Sequence, residues 1–296
     1  MIRQEHYSSL TPCSSQIVSN IMKEMNILIM LPLFAGLLAG WLVNYLADVL
    51  PITRRFSQPA CSHCNSPLPT GNYLTLAKCT TCGKRRSLRA WVVQILGLVA
   101  SVWLWLLPPT KFADAIPIPA LAFLAGLFLL TYFGVVFVID LEHRLILHPV
   151  SIFGAFLGLG VGWLLHGLGP TLLGGLGGFG VMFIFYLFGT LFARIRARKM
   201  RAAGQEADDE EALGAGDVIL ASVLGFMLGW PLIWFGLLVG ILLGGLITIP
   251  LLVIMLVVRR YKQDAWMVFI PYGPFFLISA TLIIYFPNLL SALVPK

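Results

Sequence analysis

Two aspartates stand where long apolar runs meet polar sequence, and this residue type in this pattern could perform acid–base chemistry. Asp140 closes the run FLAGLFLLTYFGVVFVID, and Asp217 opens the run VILASVLGF directly after Gly214-Ala215-Gly216. Both carboxylates are expected at one membrane depth on one side. Two facing carboxylates push their proton affinities apart, so that one activates water while the other polarises a carbonyl. Such a pair suits peptide hydrolysis without a metal.

The surroundings of these aspartates leave a simpler interpretation open. An ionisable group at the end of an apolar run can merely mark the point where a helix meets water. The two glycines before Asp217, Gly214 and Gly216, favour the chemical interpretation because they permit a sharp helix start and close approach of an extended peptide. The acidic run 206–211 is interpreted as a solvated loop.

Four cysteines form two C-x-x-C pairs inside one polar loop. Their positions are Cys61, Cys64, Cys79 and Cys82. Two such hooks can enclose one tetrahedral Zn²⁺, and Gly83 suits the tight turn that follows the second hook. A site closed by four sulfurs has no open position, so its expected role is structural. The alternatives are four free thiols in a reducing loop, or competition from His63 as a ligand.

The composition places these residues in a membrane protein. The chain has 296 residues, of which 58% are apolar and 11% are charged, whereas soluble domains carry roughly 25% charged residues. This excludes an ordinary soluble enzyme, a disordered protein and a secreted disulfide scaffold. The predicted fold class is an all-α polytopic membrane protein. The net charge of +7 does not indicate nucleic-acid binding, because the basic residues lie between apolar runs.

About eight transmembrane helices are predicted, together with a small cytoplasmic zinc-knuckle loop. The apolar segments are about 27–47, 90–107, 119–139, 149–168, 171–193, 217–230, 232–258 and 266–290. Pro231 marks a break between two of them. Sixteen of the twenty Lys and Arg fall on the side of the cysteine loop, which the positive-inside rule assigns to the cytoplasm, with both termini outside.

The chain is accordingly divided into three parts. Residues 1–49 hold the N-terminal segment and the first span, residues 50–89 form the zinc-binding loop, and residues 90–296 form a transmembrane domain that carries both aspartates.

Several motifs, taken in order, resemble the type IV prepilin peptidases, a family of membrane aspartyl proteases with a G-x-G-D motif. They are the apolar first span ending near Asn44, the C-x-x-C pairs, I-D-L-E-H-R at 139–144, G-A-G-D-V at 214–218 and P-Y-G-P-F at 271–275. The resemblance implies that Asp140 and Asp217 are the catalytic pair. It also implies removal of the leader peptide from prepilin and pseudopilin-like precursors, at the cytoplasmic face of a bacterial inner membrane.

Many members of this family also N-methylate the new amino terminus with S-adenosylmethionine, which would then be a cofactor. The chain departs from the family at several places. Leu147 and His148 stand where the family usually has a proline followed by Asp or Asn, and the proline comes later, as Pro149. In addition, Ile219 replaces a lysine and Gln94 replaces a glutamate. The loop between the cysteine pairs is also short. The departures spare both aspartates, so peptidase activity is still expected, whereas Gln94 and the short loop weaken the expectation of methyl transfer.

Two other classes of protein remain open at this point. An ion-coupled transporter could use the two aspartates, although transporters place such groups near the bilayer midplane. A non-catalytic scaffold of pilus or secretion machinery could instead dock a cytoplasmic partner through the zinc knuckle. The bilayer and a precursor protein are the expected partners, and nucleic acid is not.

Glu142 follows Asp140 by two residues, and positions i and i+2 do not share a helix face. It is therefore not expected to be the second catalytic carboxylate. It is interpreted either as a solvated residue paired with Arg144 or another loop cation, or as a contact for a basic leader peptide. A third interpretation is that it tunes the proton affinity of Asp140.

Overall fold

The computed structural model describes residues 12–202, 214–257 and 271–290. These residues form helices and no strand. In chain order the helices are α1 Pro12–Thr53, α2 Thr70–Leu74, α3 Leu88–Leu106, α4 Thr110–Ala115, α5 Pro119–His143, α6 His148–His166, α7 Leu168–Ala202, α8 Ala215–Leu228, α9 Leu232–Val257, α10 Gly273–Tyr285 and α11 Pro287–Leu290. The acidic run 206–211 lies outside the described residues.

The fold is an all-α polytopic membrane protein, which confirms the predicted class. Six helices are long and apolar enough to span a bilayer, namely α3, α5, α6, α7 and the apolar parts of α1 and α9. The shorter apolar helices α8 and α10 bring the total close to the predicted eight. At 1.5 Å per residue, the 14 residues of α8 extend about 21 Å, less than the ~30 Å of a hydrocarbon core.

The ends of the first two spans extend beyond their apolar runs. The sequence places the end of the first span near residue 47, whereas α1 continues to Thr53. It does so because the acidic side chain in its last turns, Asp48, is neutralised by Arg86 and Arg89. Near the start of α3, the side chain of Asn44 donates a hydrogen bond to the carbonyl of Ala90 (3.0 Å). The first and second spans are thereby joined at the end that faces the cysteine loop.

Successive spans run in opposite directions, and α5 lies at their centre. Helix α5 is the most buried span of those described. At the end far from the cysteine loop, the hydroxyl of Tyr285 in α10 donates to the carbonyl of Gly126 in α5 (2.6 Å). There too, the backbone N–H of Trp230, in the predicted break between α8 and α9, donates to the carbonyl of Pro170 (2.9 Å). The other ends of α5, α8 and α10 therefore lie together on the side of the cysteine loop.

Glycines allow α7 and α8 to pack backbone to backbone. A Cβ atom on Gly174 would lie 2.3 Å from the carbonyl oxygen of Gly225, and one on Gly178 would lie 2.3 Å from that of Ala221. Small residues permit this close approach of membrane helices. This close packing of α7 against α8 holds in place the helix that carries Asp217.

Candidate active site and metal centre

Asp140 occupies the last turn of α5 and is almost fully buried. The residue is only 3% exposed, and its Oδ2 atom has no hydrogen-bond partner among the described residues. The turn ends at Arg144, whose backbone N–H donates to the carbonyl of Asp140 (2.9 Å) from a left-handed conformation (φ 53°). A buried polar atom without a partner costs free energy, and it is therefore available to a water molecule or a substrate.

Asp217 occupies the first turn of α8 and is half-buried. Its backbone N–H donates to the carbonyl of Gly214 (3.0 Å), which begins the helix. A Cβ atom placed on Gly273 would lie within 3.3 Å of both the Oδ2 atom of Asp140 and the side chain of Leu220, which is one turn after Asp217 on α8. The structure thus brings together the two aspartates that the sequence singled out, at the same end of the helix bundle.

The two glycines before Asp217 have different surroundings. A Cβ atom on Gly216 would lie 3.0 Å from the Cβ of Ile146, in the connection between α5 and α6. Gly214 is exposed, and a Cβ there would meet only a backbone nitrogen at 3.9 Å. Gly216 is therefore required by packing, whereas Gly214 leaves open space beside the carboxylates.

Gly273 is a further part of the site, and sequence reasoning gave it no role. A Cβ atom at this position would lie 2.1 Å from the Oδ2 atom of Asp140 and 3.3 Å from the Cδ2 of Leu220. The first residue of α10 therefore packs directly on the carboxylate. The signal in the sequence was the motif P-Y-G-P-F at 271–275, which the resemblance noted without saying what the glycine contacts.

The four cysteines of the loop converge on one point. All four Sγ atoms lie within 4.8 Å of one another; the Cys61–Cys82 pair is separated by 3.8 Å and the Cys64–Cys79 pair by 3.7 Å. A tetrahedral zinc site with Zn–S bonds of ~2.3 Å has S···S edges of ~3.8 Å. The cluster therefore fits a zinc knuckle, as predicted, while His63 is exposed and outside the cluster.

The two hooks have the same backbone geometry. In the first, the N–H of Asn65 donates to the carbonyl of Cys61 (2.9 Å), and in the second the N–H of Gly83 donates to the carbonyl of Cys79 (2.9 Å). Both turn residues are left-handed, with φ 56° at Asn65 and φ 69° at Gly83. The turn expected at Gly83 is present, and asparagine, which tolerates this conformation, takes its place in the first hook.

Hydrogen bonds in the hooks favour the thiolate form of two cysteines, Cys79 and Cys64, whereas, against a hydrogen bond from the backbone of Lys84, burial and the neighbouring thiols raise the pKa of Cys82 to about 11. Hydrogen bonds, the strongest from the backbone N–H of Cys82 and the next from the Ser66 side chain, lower the pKa of the Cys79 thiol to about 5. The Ser66 side chain also lowers the pKa of Cys64. Because a metal binds thiolates rather than thiols, Cys79 and Cys64 are the two ligands that need the least deprotonation to bind a cation such as Zn²⁺.

Tyr73 fastens the knuckle to the membrane helices. It is 1% exposed, in an apolar cluster with Cys61, Leu68 and Cys79. Its hydroxyl donates to Asp48 of α1 (2.6 Å), and burial together with that carboxylate raises its pKa above the ordinary tyrosine value. Tyr73 therefore stays neutral and remains a hydrogen-bond donor.

Glu142 and Gln94 contact other elements of the protein. Glu142 remains on α5 and accepts a hydrogen bond and ion pair from Arg89 at 2.7 Å, so its partner is not Arg144 but the other basic residue that the sequence left open. Gln94 donates to the carbonyl of Leu37 in α1 (2.9 Å). The sequence predicted a loop cation for Glu142 but did not identify it as Arg89, and it gave no indication of the second ion pair, with Asp48.

The fold and the site together define a multi-pass helical membrane protein with a juxtaposed aspartate pair and a four-cysteine knuckle. Residues 127–249 match the model of the type IV leader peptidase family, and this segment carries Asp140 and Asp217. The match covers less than half of the chain and leaves the knuckle outside. No curated protein and no solved structure gives a match. The family match confirms the resemblance found in the motifs and supports a protease of the leader-peptidase type.

Proposed function

We propose that the protein is a membrane-embedded aspartyl endopeptidase that removes the leader peptide from type IV prepilin and pseudopilin-like precursors. The observation that carries the proposal is that the ends of α5 and α8 that bear Asp140 and Asp217 meet at Gly273, inside the segment that matches the leader peptidase family. The buried, unpartnered Oδ2 atom of Asp140 supports a role in contact with water or substrate.

The helix ends suggest which aspartate has which role. Asp217 is half-buried at the N-terminal turn of α8, where the helix dipole favours negative charge. Asp140 is almost fully buried at the C-terminal turn of α5, where the dipole disfavours negative charge. We therefore assign Asp217 as the general base and Asp140 as the protonated partner.

The reaction then follows from these two states. The Asp217 carboxylate takes a proton from water, and the resulting hydroxide attacks the scissile carbonyl carbon. The Asp140 carboxyl donates a hydrogen bond to the carbonyl oxygen, which stabilises the charge that develops there. When the tetrahedral intermediate collapses, the C–N bond breaks and the proton held by Asp217 passes to the leaving amine.

The membrane orientation is part of the same proposal. The basic residues between the helices gather on the side of the knuckle, and the positive-inside rule assigns that side to the cytoplasm. The aspartates lie at that end, so cleavage would occur at the cytoplasmic face of a bacterial inner membrane. Zinc would be held by the four cysteines as a structural ion, because four thiolates leave no position for substrate.

The test is cleavage of a pilin precursor by the purified protein in lipid vesicles. Asp140→Asn and Asp217→Asn are each expected to lower the cleavage rate by orders of magnitude with unchanged helicity and thermal stability. Asp114→Asn is the matched control, because Asp114 is exposed in α4 at the opposite end of the bundle. Near wild-type cleavage by either active-site variant would refute the assignment of the pair.

Mass spectrometry of the mature amino terminus reads two results from the same samples. It gives the position of the cut and the presence or absence of an N-methyl group. A wild-type protein that leaves the precursor uncut, but whose proton or cation flux depends on Asp140 and Asp217, would indicate the transporter class instead.

A further inference from the structure

Arg89 lies between carboxylates that belong to two different helices. Its guanidinium forms an ion pair with Asp48 of α1 on one side and with Glu142 of α5 on the other, at 2.7 Å. The side chains of Arg89, Asp48 and Glu142 are 19%, 20% and 39% exposed. The three groups are therefore partly shielded from water, where ion pairs are less screened than at an open surface.

The contacts of Asp48 extend this connection to the knuckle. Its Oδ2 atom also accepts hydrogen bonds from Tyr73 (2.6 Å) and from Arg86 (2.7 Å). The guanidinium of Arg86 stacks 4.2 Å above the centre of the Tyr73 ring, and Tyr73 packs against the cysteine hooks. An unbroken series of polar contacts therefore runs from the knuckle, through Asp48 and Arg89, to Glu142.

The far end of this series is the turn that carries the buried aspartate. Asp140 and Glu142 both belong to the last turn of α5, and the terminal turns of helices fray most easily. Within the described part of the chain, Arg89 provides the only ion pair that holds this turn to another helix. The turn also ends at a non-glycine residue with φ 53°, Arg144, which adds conformational cost to its folded state.

We infer that Arg89 is a positioning residue, which holds the Asp140-bearing turn of α5 in place by fastening Glu142 to Asp48 and, through Tyr73, to the knuckle. The inference rests on the proposed peptidase activity only for its kinetic readout. Arginine is suited to this position because its planar fork can bond two carboxylates at once, whereas a lysine ammonium is a compact point charge.

The first test is the backbone hydrogen exchange of residues 140–146, measured by mass spectrometry. Arg89→Gln is expected to raise the exchange rate of this segment, with zinc content and overall helicity unchanged. Arg85→Gln is the matched control, because Arg85 is exposed in the loop just before α3 and forms no ion pair with any described residue. Equal exchange in the two variants would overturn the inference.

The same measurement tests the connection to the knuckle. Chelation of zinc from the wild-type protein is expected to raise exchange in residues 140–146, and to add little in Arg89→Gln, where the connection is already cut. If chelation leaves the segment unchanged in the wild type, the knuckle part of the inference is wrong.

The kinetic test separates positioning from substrate binding. A shift of about 1 Å in a catalytic group can lower the rate on the order of 100-fold. Arg89→Gln is therefore expected to lower kcat about 10- to 100-fold with KM within about twofold, and Arg89→Lys to recover part of the loss. A rise in KM at unchanged kcat would make Arg89 a substrate contact and overturn the inference. If the wild type itself cuts no precursor, the proposed function fails, and the exchange measurement alone decides the positioning role.

Discussion

Gly273 offers a way to displace one of the two proposed catalytic carboxylates, that of Asp140, without removing it. Substitution by alanine would place a Cβ atom 2.1 Å from the Oδ2 atom of Asp140. Cβ atoms are essentially never found within 3.0 Å of another heavy atom, so the carboxylate oxygen must move by about 1 Å. Since this atom is the end of a side chain and not backbone, rotation of the Asp140 side chain relieves the contact while α5 and α10 stay in place.

The expected loss of activity follows from that displacement. A misplacement of about 1 Å costs on the order of 100-fold in rate, which corresponds to about 2.7 kcal/mol in the activation free energy. The loss is expected in kcat, because the substitution displaces a carboxylate that is proposed to act in the chemical step. The remaining neighbour, the Cδ2 of Leu220 at 3.3 Å, is a flexible side-chain atom and adds little.

The assay is cleavage of a pilin precursor in vesicles, with kcat and KM measured separately. Gly245→Ala is the control, because a Cβ atom at Gly245 in α9 would meet no described atom within 4 Å. Both variants should keep wild-type helicity and zinc content, and only Gly273→Ala should lose activity. A wild-type kcat in Gly273→Ala would show that the position of the Asp140 carboxylate, or its role, is wrong.

Two further predictions concern the knuckle. Elemental analysis should find one Zn²⁺ per chain. Cys61→Ser should make the loop more sensitive to protease, because folding of such loops is coupled to metal binding. Protein that is purified without chelator and contains no zinc would contradict this prediction. Tyr73→Phe removes a hydrogen bond to the Asp48 carboxylate (2.6 Å) and should destabilise loop docking by about 1.5–3 kcal/mol. Limited proteolysis with zinc bound measures that change, and wild-type resistance of the loop would refute the role given to the hydroxyl.

The class of fold could be predicted from the sequence because lipid allows few solutions. Long apolar runs must satisfy their own backbone hydrogen bonds, so the runs that end at Asp140 and begin at Asp217 read as helices. The exact ends of the helices could be predicted less well from the sequence. Helix α1 passes its apolar run and continues to Thr53, because Asp48 has basic partners that come later in the chain.

The parts of the site that could not be predicted are those set by tertiary packing. The contact of Gly273 with Asp140 joins two helices that are far apart in sequence. A glycine has no side chain whose chemistry could indicate such a contact. The position of Arg89 between Asp48 and Glu142 was hidden for another reason. A basic residue in a loop fits the positive-inside rule, so the pattern that predicted topology also concealed a specific ion pair.

The alternation of helix directions also explains how two identical side chains can take different roles. A helix that runs toward the knuckle side presents its C-terminus there, as α5 does with Asp140, and a helix that runs away presents its N-terminus, as α8 does with Asp217. The dipoles of the two helices therefore act on their carboxylates with opposite sign. Topology thus supplies the asymmetry that a pair of aspartates needs to divide the roles of acid and base.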